Sequence, residues 1–209
     1  MRNTFWNYYT GTIFRPQKTF EALLTNTASL TLSAYAVLIM AFVYTCVYAF
    51  LIFGGGQPFK PWLAIPLETY YQYNVFFCAP SMFLGWILAA GVVHVLSRTI
   101  ANDGSFDQTL TVFGFGIGIA SWSTGVHDWV TSLLGALHVI DQHSYEAALN
   151  SPTLWRTLLW IQMIVYLIWF IVLFSKGAKA VYHLKTSQSI GLGAIGFITY
   201  QMFFLIFNR

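Results

Sequence analysis

From Leu30 to Phe53 the chain runs without one charged side chain. A helix of that length, at about 1.5 Å per residue, crosses the roughly 30 Å hydrocarbon core of a bilayer. Hydrocarbon offers no partners to backbone N–H and C=O groups, so such a stretch satisfies them internally, as a helix. Similar runs follow at 74–97, 108–126, 155–174 and 189–207. Charged residues make up 8% of the chain and hydrophobic ones 57%, with a mean hydropathy of +0.62. A soluble domain carries about a quarter charged residues, so here lipid is the main solvent. The sequence therefore reads as an all-α polytopic membrane protein, one domain over 1–209 with five transmembrane helices. The first apolar run begins too far in, and is too long, for a cleaved signal peptide. A net charge of +3 without a Lys/Arg-rich run points away from nucleic acid. Cys46 and Cys78 both lie inside apolar runs and support neither a disulfide framework nor a zinc site.

The middle of the chain, from Arg98 to Gly118, combines turn chemistry, charge and spaced glycines. Asn102-Asp103-Gly104-Ser105 is a turn signal, and Ser105 is placed to cap a helix starting at Phe106. Asp107 then faces the positive end of that helix dipole. Gly114 and Gly118 share one face of the third span, while Ser81, Gly85 and Ala89 form a small-residue row on the second. Two helices joined by so short a turn are expected to pack these faces together. His94 and Arg98, near Asp103 and Asp107, are expected to close the hairpin through a local ion pair; the sharper alternative is a proton or ion relay. Pro80 falls in the first turns of the second span and is expected to bend it or to mark its start.

The connections are amphipathic. Met1–Thr27 mixes aromatic and basic residues and has the pattern of an interfacial helix, with Pro16 near a first turn. The stretch from Gln57 to Tyr73, rich in proline and tyrosine, suits the headgroup level. His127–Asn150 is expected to be one amphipathic helix over the outer face, and Ser175–Ser187 a polar connection. Counting Lys and Arg, seven (Arg2, Arg15, Lys18, Arg98, Lys176, Lys179, Lys185) fall on one side of the membrane and three (Lys60, Arg156, Arg209) on the other. The positive-inside rule then puts the amino terminus and central turn in the cytoplasm and the carboxyl terminus outside.

Chemistry-bearing residues are few. On a continuous helix His127, His138 and Asp141 fall within about 60° of one another. With Asp128 and His143 nearby, imidazole and carboxylate make a candidate site for a divalent transition metal. The competing account is the wet face of an interfacial helix, with no cofactor. No acid lies inside any span, as a coupled transporter would use, and no nucleophile motif or phosphate loop occurs. An enzyme is the least supported class.

F-R-P-Q-K-T-F-E near the start, G-S-F-D-Q-T-L-T-V-F-G-F at the centre and A-V-Y-H-L before the last apolar run resemble the Yip-domain family of Ypt/Rab-interacting membrane proteins. The resemblance covers about Phe14 to Phe207 and is to the short bacterial members. It implies five membrane helices, a cytoplasmic amino terminus and a place in the bacterial inner membrane. Eukaryotic members act in vesicle traffic and bind small GTPases through a longer, acidic, tyrosine-containing amino-terminal region. The short members lack that region, so small-GTPase binding is not expected here. The implied partners are the bilayer, other membrane proteins or a second copy of the chain. The docking or packing surface would be Arg98, Asp103, Gly104, Phe106, Asp107, Gly114, Gly118, Lys176 and Lys179. Three functions follow as expectations: a non-enzymatic protein that binds partner proteins or lipids and helps membrane organisation or trafficking, a small permease or channel, and a membrane metalloenzyme on the outer His/Asp set.

Overall fold

A computed structural model describes residues 4–58, 61–100 and 103–208. Arg2, Lys60, Asn102 and Arg209, used above in the charge count and the turn, lie outside the described residues. Every regular element among them is helical: α1 (Phe5–Phe14), α2 (Pro16–Leu24), α3 (Ser29–Phe53), α4 (Tyr70–Ser97), α5 (Phe106–Ala120), α6 (Trp122–Ala136), α7 (Gln142–Asn150), α8 (Leu154–Tyr182) and α9 (Thr186–Asn208). Four segments among the described residues are long and apolar enough to cross a membrane alone: α3, α4 with the short turn before it, α8 and α9. The fifth expected span is α5 followed by α6, which meet that test only together and are bent by 42°.

α5 is the hub of the bundle. Every residue from Thr109 to Ala120 is buried, and the helix packs on α3, α4 and α8. A helix buried on all sides needs close backbone approach, which glycine permits. A Cβ on Gly118 would lie 2.8 Å from both the Cβ and the carbonyl oxygen of Ala36, and one on Gly114 2.8 Å from the Cβ of Ser33. Ser33 Oγ uses the same proximity to donate to Thr111 O at 2.6 Å. The glycine face thus meets α3, and at Gly114 also Trp86 of α4, 2.9 Å from where a Cβ would lie, but not the small-residue row of α4 that was expected opposite it. The small-residue row of α4 faces α9: Gly85 lies against Tyr200, and Ser81 Oγ accepts from Asn208 Nδ2 at 2.6 Å. A short turn makes two helices antiparallel neighbours without choosing the faces that meet. α4 still holds α5 through Trp86, whose Nε1 donates to Leu110 O at 2.8 Å. Pro80 lies inside an α4 that is continuous from Tyr70 to Ser97.

The amino-terminal segment is two helices, with Pro16 opening the second at its first position. α2 buries Phe20 and Leu23 completely and packs on α8. α1 runs along α5. Phe5 meets Phe115 with ring centroids 5.8 Å apart, and Tyr9 OH donates to Gly118 O at 2.8 Å. Gly118 lies about 18 Å along α5 from its start, so α1 reaches well along that helix. Trp6 and Phe14 stay exposed on its outer side.

The bend at Ser121 follows from hydroxyls and the backbone ladder. Tyr44 OH donates to Ser121 O at 3.4 Å, and that carbonyl also takes Thr124 N at 3.3 Å and Gly125 N at 2.8 Å. Polar side chains inserted into a helix ladder are a recurrent cause of kinks. Beyond the bend α6 continues through His127 to Ala136, and the chain reverses over Leu137–Asp141 with His138 at φ 53. The single outer helix expected over His127–Asn150 is therefore split between α6 and α7. At the other end α8 runs to Tyr182, so Lys176 and Lys179 belong to a helix and not to a loop.

Replacing Gly118 with Leu is expected to cost about 1–3 kcal/mol by forcing α5 off α3. Gly191→Leu, where a Cβ meets open space, leaves stability unchanged. Thermal denaturation of both variants in detergent reads the difference.

Candidate functional site

Two groups of polar residues mark opposite ends of the bundle. At the central turn the organising residue is Tyr182, the last of α8. Its hydroxyl is hydrogen-bonded to Thr109 Oγ1 and lies 2.9 Å from His94 Nδ1. Gly104, at φ +83, packs against the Tyr182 ring, where a Cβ would come within 2.6 Å. Glycine is required here twice, for its left-handed backbone and for its missing side chain. Ser105 and Gln108 form a complete capping box at the start of α5, with Gln108 N donating to Ser105 Oγ at 3.2 Å and Ser105 N to Gln108 Oε1 at 3.0 Å. Asp107 occupies the first turn, exposed, and Phe106 packs edge-on against His94. His94, expected in an ion pair, is engaged by a phenol. Arg98 caps α4 and is exposed, as is Asp103. Lys176 and Lys179 are half-buried; Lys176 borders a basic notch with Arg15 and Lys18, and Lys179 Nζ donates to Thr186 Oγ1 at 3.0 Å.

At the other end the bend in α6 leaves a cavity of about 590 Å³ between α3, α6, α7 and α8 and the ends of α4 and α9. Tyr44, Tyr48, Tyr71, His127, Asp128, Thr131, Gln142, Tyr145, Glu146 and Asn208 contribute most of its polar lining. α7 forms one wall. Asp141 caps it by accepting from His143 N at 3.2 Å. The hydrogen bond from Ser144 is the main reason the Asp141 carboxyl is held below the usual carboxylate range. Gln142 lies over Gly135 of α6, and Glu146 accepts from Gln142 Nε2 at 3.0 Å and from Gln57 N at 3.2 Å. The loop after α3 is thereby tied to the same wall.

The candidate metal ligands are dispersed. His127 lies in α6, His138 is exposed at the reversal, Asp141 is committed to its cap, and His143 is exposed at the cavity edge. Among the described residues no group of three His, Cys, Asp or Glu is placed to hold a metal ion. The helical projection that united His127, His138 and Asp141 fails because the helix ends at Ala136. What replaces it is a chain: Asp128 Oδ1 lies 3.1 Å from His127 Nδ1, and His127 Nε2 lies 2.7 Å from Tyr145 OH. Burial, and after it the charge of Asp128, push the Tyr145 phenol up to about 12. The chain joins α7 to α6 through Tyr145, His127 and Asp128.

Sequence reasoning passed over Tyr182, Gln142, Glu146 and the tyrosines of α3. Tyr182 was already visible inside A-V-Y-H-L, and G-S-F-D-Q-T holds Thr109. The structure brings these two distant motifs into contact. Residues 10–208 match the Yip1 domain model, so this integral membrane protein belongs to the Yip1-domain family. Neither a curated protein nor a solved structure matches the chain.

Tyr182→Phe removes the hydroxyl that joins α4, α5 and α8 and leaves buried Thr109 without that partner. It is expected to destabilise the protein by about 1–3 kcal/mol. Chemical denaturation followed by tryptophan fluorescence measures it, and unchanged stability would remove Tyr182 from its place as the clamp.

Proposed function

We propose that this Yip1-domain protein is non-enzymatic, and that it binds a lipid or a membrane segment of a partner protein and helps to organise the membrane around it. The cavity at the far end from the central turn carries this reading. It has the size and mixed lining of a ligand site, and one wall is the start of α8, where Leu154, Trp155, Leu158 and Ile161 are exposed to the bilayer. The floor supports holding a ligand over passing one through. Tyr44 OH is bonded to Thr124 Oγ1 at 2.6 Å, and deeper in the bundle Phe113 stacks on Phe174 at 4.0 Å. A permease or channel, the competing reading, needs a polar path through that layer.

The basic notch of Arg15, Lys18 and Lys176 is suited to anionic headgroups at the opposite face. With the count of seven basic residues against three, it supports a cytoplasmic amino terminus in a bacterial inner membrane. The exposed face of α8 is the surface on which a partner helix or a second copy would pack.

Thr131→Trp fills the cavity from α6. Protein purified from its native membrane is expected to carry a bound lipid or partner in the wild type and to lose it in this variant, as read by native mass spectrometry. Reconstituted vesicles should show no solute flux with either protein. Flux through the wild type that the tryptophan blocks would replace the binding reading with the permease.

A further inference from the structure

The cavity is rich in acceptors, and the atoms at its edge that lack partners are acceptors as well. Gln142 is only 5% exposed, and its Nε2 is committed to Glu146 Oε1. Its Oε1 is buried against Gly135 of α6 with no hydrogen-bond partner. Asn208 repeats the pattern: Nδ2 donates to Ser81 Oγ at 2.6 Å and to Phe204 O at 2.9 Å, while Oδ1 is buried and unpartnered. In both side chains the nitrogen bonds an oxygen that cannot donate to it in return, the Glu146 carboxylate or the Phe204 carbonyl. The amide oxygen is therefore the orphan. Buried oxygens left without a donor carry a free-energy penalty, and only a donor relieves it.

Charge adds the second requirement. Asp128 and Glu146 border the same space; Asp128 faces only the His127 imidazole and Glu146 only amide donors, with no Lys or Arg paired to either among the described residues. Two carboxylates on one cavity favour a cationic occupant. A metal ion fits poorly, because no three-ligand group exists among the described residues. An organic cation fits better, since the rings of Tyr48 and Tyr71, stacked at 5.9 Å, add π faces to the carboxylates.

Resting on the reading of the cavity as a ligand site, we propose that it binds a primary ammonium group. Asp128 and Glu146 supply the counter-charge and accept the N–H bonds. The group belongs to an aminophospholipid headgroup or to a free primary amine. The surroundings suit the lipid: Leu159 lines the cavity on the helix whose exposed apolar residues offer a track for an acyl chain. Arg156, three residues earlier and so on the same helix face, is placed for a phosphate.

The test uses the full-length wild-type protein in detergent, titrated separately with short-chain phosphatidylethanolamine, phosphatidylcholine, phosphatidylglycerol and soluble ethanolamine, and read by native mass spectrometry. Phosphatidylethanolamine should bind about tenfold or more tighter than phosphatidylcholine, whose methylated nitrogen has no N–H to donate, and than phosphatidylglycerol, which has no cation. Ethanolamine binding as tightly as the lipid assigns the site to free amines; much weaker binding assigns it to the headgroup. Asp128→Asn and Glu146→Gln should each lose about tenfold in affinity. The wild-type discrimination stands as the test even where a variant fails to fold. Equal binding of the three lipids, all displaced by Thr131→Trp, overturns the ammonium assignment while leaving the cavity a ligand site. Absence of any bound lipid or amine overturns both.

Discussion

The close approach of α5 to α3 is the contact on which the other placements depend. In lipid no hydrophobic effect drives one helix onto another, so association rests on van der Waals contact and interhelical hydrogen bonds, both of which fall off steeply with distance. Gly114 and Gly118 let Ser33 and Ala36 touch the α5 backbone. At that range Ser33 reaches the Thr111 carbonyl and Tyr9 reaches that of Gly118. With α5 drawn into the middle, α4, α8 and α1 have a surface to close around, and each does so with an aromatic residue: Trp86, Phe174 and Phe5 respectively.

Burial of α5 also creates the space at its far end. Ser121 marks the end of the fully buried stretch, and the hydroxyls gathered there turn α6 away by 42°. The volume that a straight helix would have filled becomes the cavity, and α7 walls it through Gln142 and Glu146. At the central turn Gly104, Thr109 and His94 all close on Tyr182.

Much of the helical layout was legible in order along the chain. Apolar runs of spanning length located α3, α4, α8 and α9, and Ser105 marked the start of α5, to which the structure adds Gln108 as the capping-box partner. The candidate metal site was misread for a local reason too: helical periodicity was carried through Leu137–Asp141, where His138 adopts positive φ and the helix ends. Histidine is not a residue that announces a left-handed turn as glycine does, so little in the local pattern signalled the stop. The cavity residues were harder to see, since Tyr48, Asp128, Glu146 and Asn208 come from four separate helices.

By itself the sequence determined the solvent, the number of apolar segments and the cap of α5, because each is settled by a contiguous stretch and its periodicity. Family membership followed from motifs read in order and was matched over residues 10–208. Tertiary structure alone decided which small-residue face meets which helix, that α1 climbs beside α5, that α6 breaks away, and that Tyr182 joins two motifs far apart in the chain. Those outcomes depend on pairs of surfaces competing for the same neighbour, and that competition is resolved only when all the helices are present at once.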